Sequence, residues 1–304
     1  VSYTNSEITS LFEYRDSSVR ENIITPTCER LVFKTQREIP RTGVLLVGWG
    51  GNNGSTLTAG ILANKLNVTW HTKEGLRRPD YLGSMARSTT MRVGTDSRQM
   101  PVFSPLYNLV PLVNPNDLEI GGWDISSLNL ADSMSRAKVL DYDLQRQLYP
   151  HMKDLVPWPS VYIPEWVASN QSERADNILT GTKSEMLEAL RSNIRDFKQS
   201  RNLDQVIIVW TANTEKYSAV NSGTHDTMSN VLSAIENNSS EISPSSLFAV
   251  ASILEGCTYI NGSPQNTFVP GIIELAEHHQ VLIAGDDFKS GQTKIKSVLS
   301  DFLV

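Results

Sequence analysis

A doubly wound α/β fold with a mostly parallel sheet is predicted by three features of the sequence. A short apolar run, VLLVGWG at 44–50, breaks straight into glycines and then into a helical pattern. Similar apolar runs recur further along the chain, and stretches with apolar residues three or four apart lie between the later ones. Short buried strands alternating with covering helices are the signature of a parallel sheet.

Taken in order, residues 1–42 hold polar, strand-like stretches such as RLVFKTQ and no long helical period. They read as an N-terminal extension packed on the main domain, which takes residues 43–304. From Gly43 a strand leads through glycines into STLTAGILANK, where Leu57, Ile61 and Leu62 stand at helical spacing. Buried-strand candidates follow at 117–125 (DLEIGGWDI), 205–212 (QVIIVWTA), 246–254 (SLFAVASIL) and 280–287 (QVLIAGDD). Helical patterns occupy 184–201, 227–238 and 271–279. Residues 80–116 and the segment LVPWPSVYIPEW are irregular and read as loops or short helices over the sheet.

Composition bounds the function. The chain has 304 residues, with 27 Lys and Arg against 33 Asp and Glu, a formal net charge of −6. That balance argues against a protein living on nucleic-acid backbone. Hydrophobic residues at 39% and charged residues at 20% exclude a mainly disordered chain. No apolar run of about 18 residues is present, so no membrane span is expected. Two cysteines, Cys28 and Cys257, form no CxxC pair, and a reducing, cytoplasmic setting is the simplest reading. The sequence starts at Val1 without a basic and apolar leader, and it stops inside an apolar pattern without a cap. It is expected to be a piece of a longer protein.

The sharpest local signal is VGWGGNNGST, which places Gly48, Gly50, Gly51 and Gly54 between strand and helix. Positions without side chains let backbone approach a pyrophosphate, and the amides of a helix N-terminus stabilise its charge. Generic dinucleotide spacing would put the third glycine at 53, where Asn53 stands; the motif is a variant. No Walker-type lysine motif follows, so a nicotinamide dinucleotide is favoured over a nucleoside triphosphate. The acid for the adenosine ribose, expected about 20 residues after the glycines, is Glu74 by the generic rule, with Asp124 competing.

Ligands of such sheets lie beyond the carboxyl ends of the strands. Three polar segments follow apolar runs: TANTEKY from Thr211, EGCTYINGSPQNTFVPG from Glu255, and Asp286 to Lys294, DDFKSGQTK. In the last, Ser290 to Thr293 open a helical pattern and could hold a substrate phosphate or simply cap the helix. Asp287 could fix the nicotinamide ribose, a metal or a proton relay, or act as a cap. Lys289 could neutralise a developing oxyanion or pair with Asp286 at the surface. The five histidines, His71, His151, His225, His278 and His279, give no metal-ligand spacing. Neither a G-x-S-x-G elbow nor a papain-like cysteine signature occurs.

Six motifs taken together, GWGGNNGSTLTAGILANK, GWDI, NQSERADN, VWTANTEKY, ILEGCTYINGSPQNTFVPG and AGDDFKSGQTKIKSVL, resemble the eukaryotic myo-inositol-1-phosphate synthase (inositol-3-phosphate synthase) family. The likeness runs in matching order from about residue 30 to residue 304, and the extended glycine spacing is a trait of that family. It implies a Rossmann-like NAD-binding domain and the isomerisation of D-glucose 6-phosphate to 1D-myo-inositol 3-phosphate, the first step of inositol biosynthesis. NAD is not consumed: C5 is oxidised by hydride transfer, a C6 proton is removed, C6 closes onto the C1 aldehyde, and the hydride returns. It further implies a cytoplasmic homotetramer, with the inserted α+β tetramerisation domain and the principal catalytic lysines largely beyond this chain. A chain truly ending at Val304 would then bind cofactor at best and not turn over.

By the same resemblance, Gly48, Gly50, Gly51, Asn52, Asn53 and Gly54 form the pyrophosphate loop, and Asp124 is the adenosine-ribose ligand in preference to Glu74. Ser160, Val161, Gln171, Arg174, Thr211, Ala212, Thr214, Gly262 and Ser263 match cofactor contacts. Asp287 matches an acid at the nicotinamide end. Ser290, Gly291, Gln292 and Thr293 match the substrate-phosphate loop. Two other readings stay open: an oxidoreductase acting on a sugar phosphate with net hydride transfer, which would accumulate NADH, and an NAD-binding regulatory module without turnover.

Overall fold

The computed structural model describes residues 1–288 and 291–303, the side chains of 291–294 excepted. By contacts the chain forms two units, residues 1–40 with 80–115 and residues 41–79 with 116–304.

In the first unit Glu7–Arg20 and Ile23–Gln36 pair antiparallel along their whole length, with Ser2–Tyr3 added at one edge. Glu21 and Asn22 turn the hairpin with φ of 47° and 65°, the mirror-image turn whose twist suits a hairpin. Residues 80–116, expected to be irregular, contribute a second antiparallel pair, Thr90–Thr95 with Pro101–Pro105. Asp96 drives that turn, its Oδ1 accepting the amides of Arg98 and Met100 at 2.8 and 2.9 Å. The first 40 residues group with residues 80–115 in this unit.

The second unit is built on six parallel strands: β1 (Thr42–Val47), β2 (Glu119–Asp124), β3 (Trp158–Pro159), β4 (Gln205–Trp210), β5 (Thr258–Asn261) and β6 (Ile283–Ala284). Their spatial order is β3-β2-β1-β4-β5-β6, the doubly wound order with its switch point between β1 and β4. The helices are α1 (Asn52–Leu66), α2 (Leu130–Ala137), α3 (Tyr142–Met152), α4 (Lys183–Ser200), α5 (Met228–Glu236), α6 (Pro244–Leu254), α7 (Pro270–His279) and α8 (Gly291–Leu303).

Alternation along β1 shows how both faces are covered. Leu46 packs with Ala59 and Ala63 of α1, Met134 of α2 and Leu148 of α3. Leu45 and Val47 point the other way, into the cluster of Leu190 and Ile194 of α4, Ile235 of α5, Phe248 of α6 and Ile272 of α7. Fully burying each such side chain contributes about 1.5–3 kcal/mol. Helix α4 starts at a reciprocal cap: Thr182 Oγ1 accepts the Glu185 amide at 3.3 Å, and Glu185 Oε2 accepts the Thr182 amide at 2.7 Å.

One strand expectation is overturned. SLFAVASIL at 246–254 is helix α6, almost wholly buried. Ser243 caps it, its Oγ accepting the Ser246 amide at 3.1 Å, and Pro244 opens its first turn. A helix apolar all round carries no amphipathic period to distinguish it from a buried strand. The strand of this region is β5, within residues read as a polar loop. QVLIAGDD at 280–287 contributes only the two residues of β6.

Candidate functional site

Strand β1 ends at Val47, and the turn from Gly48 to Gly51 leads into α1. The amides of Gly48 and Trp49 both donate to the carbonyl of Trp123, at 2.8 and 2.9 Å, strapping the turn to the end of β2. Gly48 has φ +86°, and a Cβ there would sit 2.8 Å from Ala212 Cα. At Gly54 a Cβ would fall 2.3 Å from the Trp49 carbonyl oxygen. Trp49 Nε1 donates to Thr58 Oγ1 at 2.9 Å, and Thr58 Oγ1 donates to the Gly54 carbonyl at 2.8 Å. Through these bonds the tryptophan ties the turn to α1.

Gly51 is the N-cap of α1, with no side-chain cap and no acid in the first turn. The positive end of the helix is left for an external anion. Around it opens a crevice of about 820 Å³ beyond the C-terminal ends of the strands, at the switch point. Gly48, Gly51, Asn52, Asn53, Asp124, Ser160, Val161, Gln171, Arg174, Thr211, Ala212, Thr214, Gly262, Ser263 and Asp287 all line it. Gly50 lies behind this surface, where a Cβ would be 3.2 Å from Asp124 Oδ2; Gly54 is packed under the turn.

Asp124 is the last residue of β2 and only 2% exposed. Its Oδ1 accepts the Ser126 amide at 2.9 Å and Arg174 Nη2 at 3.1 Å. Burial pushes its carboxyl above the usual carboxylate range, opposed by the Ser126 amide, Arg174, Arg136 and the Gly50 amide. Glu74, the other acid considered, is exposed in the hairpin Trp70–Thr72/Gly75–Arg77 and pairs with Arg77. Residues 80–115, part of the first unit, come between α1 and β2 in the sequence, so the end of β2 stands far beyond the 20-residue spacing.

The far wall comes from β4 and β5. Thr211 Oγ1 donates to the Val47 carbonyl at 2.9 Å, Ser263 Oγ to the Ala212 carbonyl at 3.2 Å, and the Gly262 amide to the Trp210 carbonyl at 3.1 Å. A Cβ on Gly262 would meet the Phe288 ring at 2.2 Å, so the glycine lets that ring lie against the wall. Asp287 is exposed with φ +70°. Lys289 and Ser290 lie outside the described residues. Gly291, Gln292 and Thr293 form the start of α8.

Residues missed from sequence also belong here. Asn213 and Glu215 line the crevice; both stand in the quoted TANTEKY, where an acid just after a buried strand was the available signal. Glu215 is buried, and its Oε1 and Oε2 accept the Ser245 amide at 3.0 and 3.2 Å. Burial pushes its carboxyl up to about 7, against the opposing pull of hydrogen bonds from Ser245 and Ser243. Arg136 of α2 donates Nη2 to the Gly50 carbonyl at 2.6 Å, and nothing in the sequence marked it.

A strand order of 3-2-1-4-5-6, an uncapped glycine-bounded helix start and a buried acid at the end of β2 define a dinucleotide-binding α/β protein. The cradle suits a diphosphate: side chains at Gly48, Gly51 or Gly54 would collide with backbone and spoil the turn, and the helix start it leads into has no side-chain cap and no acid in its first turn. The family model of myo-inositol-1-phosphate synthase, an NAD-binding domain, matches residues 42–302. Inositol-3-phosphate synthase of Dictyostelium discoideum is 53% identical over all of this chain and 60% of its own length, and inositol-3-phosphate synthase 1 of Homo sapiens is 55% identical over all of this chain and 55% of its own. The crystal structure of inositol-3-phosphate synthase from Caenorhabditis elegans superposes with a TM-score of 0.96 at 49% identity, covering 99% of this chain and 60% of that one. The chain belongs to the myo-inositol-1-phosphate synthase family, its dinucleotide is NAD, and it spans a little over half the length of these relatives. Among the described residues no helix is long and apolar enough to cross a membrane.

Proposed function

We propose that this chain is the NAD-holding part of an isomerase that converts D-glucose 6-phosphate to 1D-myo-inositol 3-phosphate. The observation that carries the reading is the gathering of the motif residues around one crevice at the sheet's switch point, in a chain of this family. NAD, when bound, supplies a hydride acceptor that gives the hydride back within one turnover.

The chain's own residues hold and orient. Amides at the start of α1 take the diphosphate, with Gly48, Gly50, Gly51, Asn52, Asn53 and Gly54 shaping the cradle. Asp124 accepts the ribose hydroxyls. Ser160, Val161, Gln171 and Arg174 border the adenosine side; Thr211, Ala212, Thr214, Gly262 and Ser263 form the opposite wall. Asp287 orients the nicotinamide end. Lys289 neutralises the oxyanion that forms on the substrate, and Ser290, Gly291, Gln292 and Thr293 take the substrate phosphate.

Assembly as a homotetramer and a cytoplasmic location go with this reading. Leu11, Phe12, Val32 and Phe33, exposed along the long hairpin, support an assembly, and two unpaired cysteines support a reducing compartment. The test is phosphorus NMR of glucose 6-phosphate with catalytic NAD and the full-length protein. An isomeric phosphate monoester with steady absorbance at the reduced-nicotinamide band is expected. Accumulating NADH would favour net oxidation, and no conversion at all would favour a regulatory module.

A further inference from the structure

We infer that Asn261 is a positioning residue for the nicotinamide side of the crevice: its carboxamide locks the Gly262–Ser263 wall to the turn that presents Asp287. This role rests on the reading of Asp287 as the acid at the nicotinamide end.

Asn261 ends β5 and is 1% exposed. A carboxamide has two N–H donors and an oxygen with two lone pairs, and here all four are engaged. Its Nδ2 donates to Asp286 Oδ1 at 2.7 Å and to the Gln265 carbonyl at 2.8 Å. Its Oδ1 accepts the Ser263 amide and Gln265 Nε2, both at 3.2 Å. A carboxylate can only accept, so Asp286 fixes which end of the carboxamide faces it. Only glutamine carries the same four functions, on a stem one carbon longer.

Three segments that line the crevice meet around this side chain. From the loop after β4, the Glu215 amide donates to Gln265 Oε1 at 3.4 Å, and the Ala212 carbonyl accepts Ser263 Oγ at 3.2 Å. After β6, Asp287 lies between two ties: Asp286 is bound to Asn261, and the Phe288 amide donates to the Gly262 carbonyl at 3.2 Å. Asp287 lines the crevice with φ +70°, an uncommon backbone region for a residue other than glycine. Its neighbours on both sides set the place of its backbone against Gly262 and Ser263. The adenosine side is built on other elements, β2, β3 and the Ser169–Arg174 turn. Loosening the bond between Asn261 and Asp286 therefore costs order at one end of the cofactor, and a site that must be ordered on binding binds more weakly than one already ordered.

The test is isothermal titration of the full-length protein with NAD and with ADP, which carries the adenosine and diphosphate but no nicotinamide; thermal melting confirms folding. Asp286→Ala removes the acceptor from an exposed residue and leaves the other bonds of Asn261 in place, whereas Asp286→Asn keeps an oxygen acceptor. Asn261→Asp keeps the shape and loses both donors. The dissociation constant for NAD is expected to rise about tenfold in Asp286→Ala and Asn261→Asp, through loss of a hydrogen bond to a charged group and of the ordered turn. That for ADP should not change, and Asp286→Asn should stay close to the parent. Asp286→Ala carries the test alone should Asn261→Asp fail to fold. Equal weakening of NAD and ADP would overturn the positioning role, and so would unchanged NAD affinity in Asp286→Ala. Asp287→Gly, which suits the positive φ and removes the carboxyl, tests the underlying reading separately. Selective weakening of NAD by Asp287→Gly but not by Asp286→Ala would overturn the role of Asn261 alone. No effect of Asp287→Gly on either ligand would overturn the nicotinamide-end reading of Asp287, and the role of Asn261 with it.

Discussion

Gly48 lies against Ala212 so closely that a Cβ on the glycine would stand 2.8 Å from Ala212 Cα and 2.9 Å from its amide nitrogen. The two residues lie just beyond the ends of the two strands that flank the switch point, β1 and β4. Gly48→Ala therefore meets both a left-handed backbone and a backbone collision, and it is expected to cost about 1–3 kcal/mol while weakening NAD binding. Gly54→Ala should be at least as harmful, since its Cβ would fall 2.3 Å from the Trp49 carbonyl oxygen. Gly60, inside α1, has nothing within 4 Å of its Cβ position. Gly60→Ala should stabilise by about 0.4–1 kcal/mol and leave NAD affinity alone. Urea denaturation with NAD titration separates the three; equal behaviour at all of them would contradict the account of the turn.

Glu215 makes stability depend on pH. Its carboxyl is pushed up to about 7, so the folded chain holds the proton more tightly than the unfolded chain does. The stability this contributes is fully present below the unfolded value and is lost as pH rises through about 7. Glu215→Gln keeps an oxygen for the Ser245 amide and has no proton to lose. Relative to the parent it should gain stability between about pH 5 and pH 8, by up to about 3 kcal/mol. Denaturation midpoints at several pH values check this, and parallel pH profiles for the two proteins would refute it.

The sheet was largely legible because β1, β2 and β4 are short apolar runs, and the cradle was legible because only glycine suits its backbone. Helix α6 was not, since burial on every side erased its period. Asp124 could be preferred over Glu74 only through the family motif, because the intervening segment lengthens the usual spacing. Arg136 and Glu215 act on partners 86 and 30 residues away in sequence, and no local pattern encodes such a meeting. Most residues that line the crevice from loops next to strands could be named, Asn213 and Glu215 excepted; Arg136, which supports the turn from α2, could not.

Phe248 tests the corrected assignment of α6. Its ring stacks edge-on with Trp123 at 5.2 Å and Trp210 at 6.0 Å between centroids. Its neighbour Leu247 is also buried, in the same cluster. Phe248→Ala is expected to cost about 3–5 kcal/mol and Leu247→Ala about 2–5 kcal/mol. Cooperative unfolding in urea measures both. A severe loss at one position with a surface-like effect at its neighbour would fit a strand exposed on one face and not this buried helix.

Arg136 holds the glycine turn from behind. Its Nη2 donates to the Gly50 carbonyl at 2.6 Å, and burial lowers the guanidinium's pKa, an effect compounded by Arg174 and opposed by Asp124. Arg136→Met removes the donor and keeps much of the apolar stem, so the loss should come from the tether rather than from packing. A hydrogen bond to a charged group contributes about 1.5–3 kcal/mol, and part of that should appear as a turn less often in its binding-competent form, weakening NAD binding by that fraction. Arg136→Lys keeps the charge and one donor without the planar fork, and should recover only part of the affinity. Thermal unfolding with and without saturating NAD reads both effects, because a ligand stabilises according to its affinity for the folded chain. The expected result is a lower melting temperature for Arg136→Met and a smaller NAD-induced rise, with Arg136→Lys between it and the parent. An unchanged NAD-induced rise would show that the turn keeps its shape without the tether.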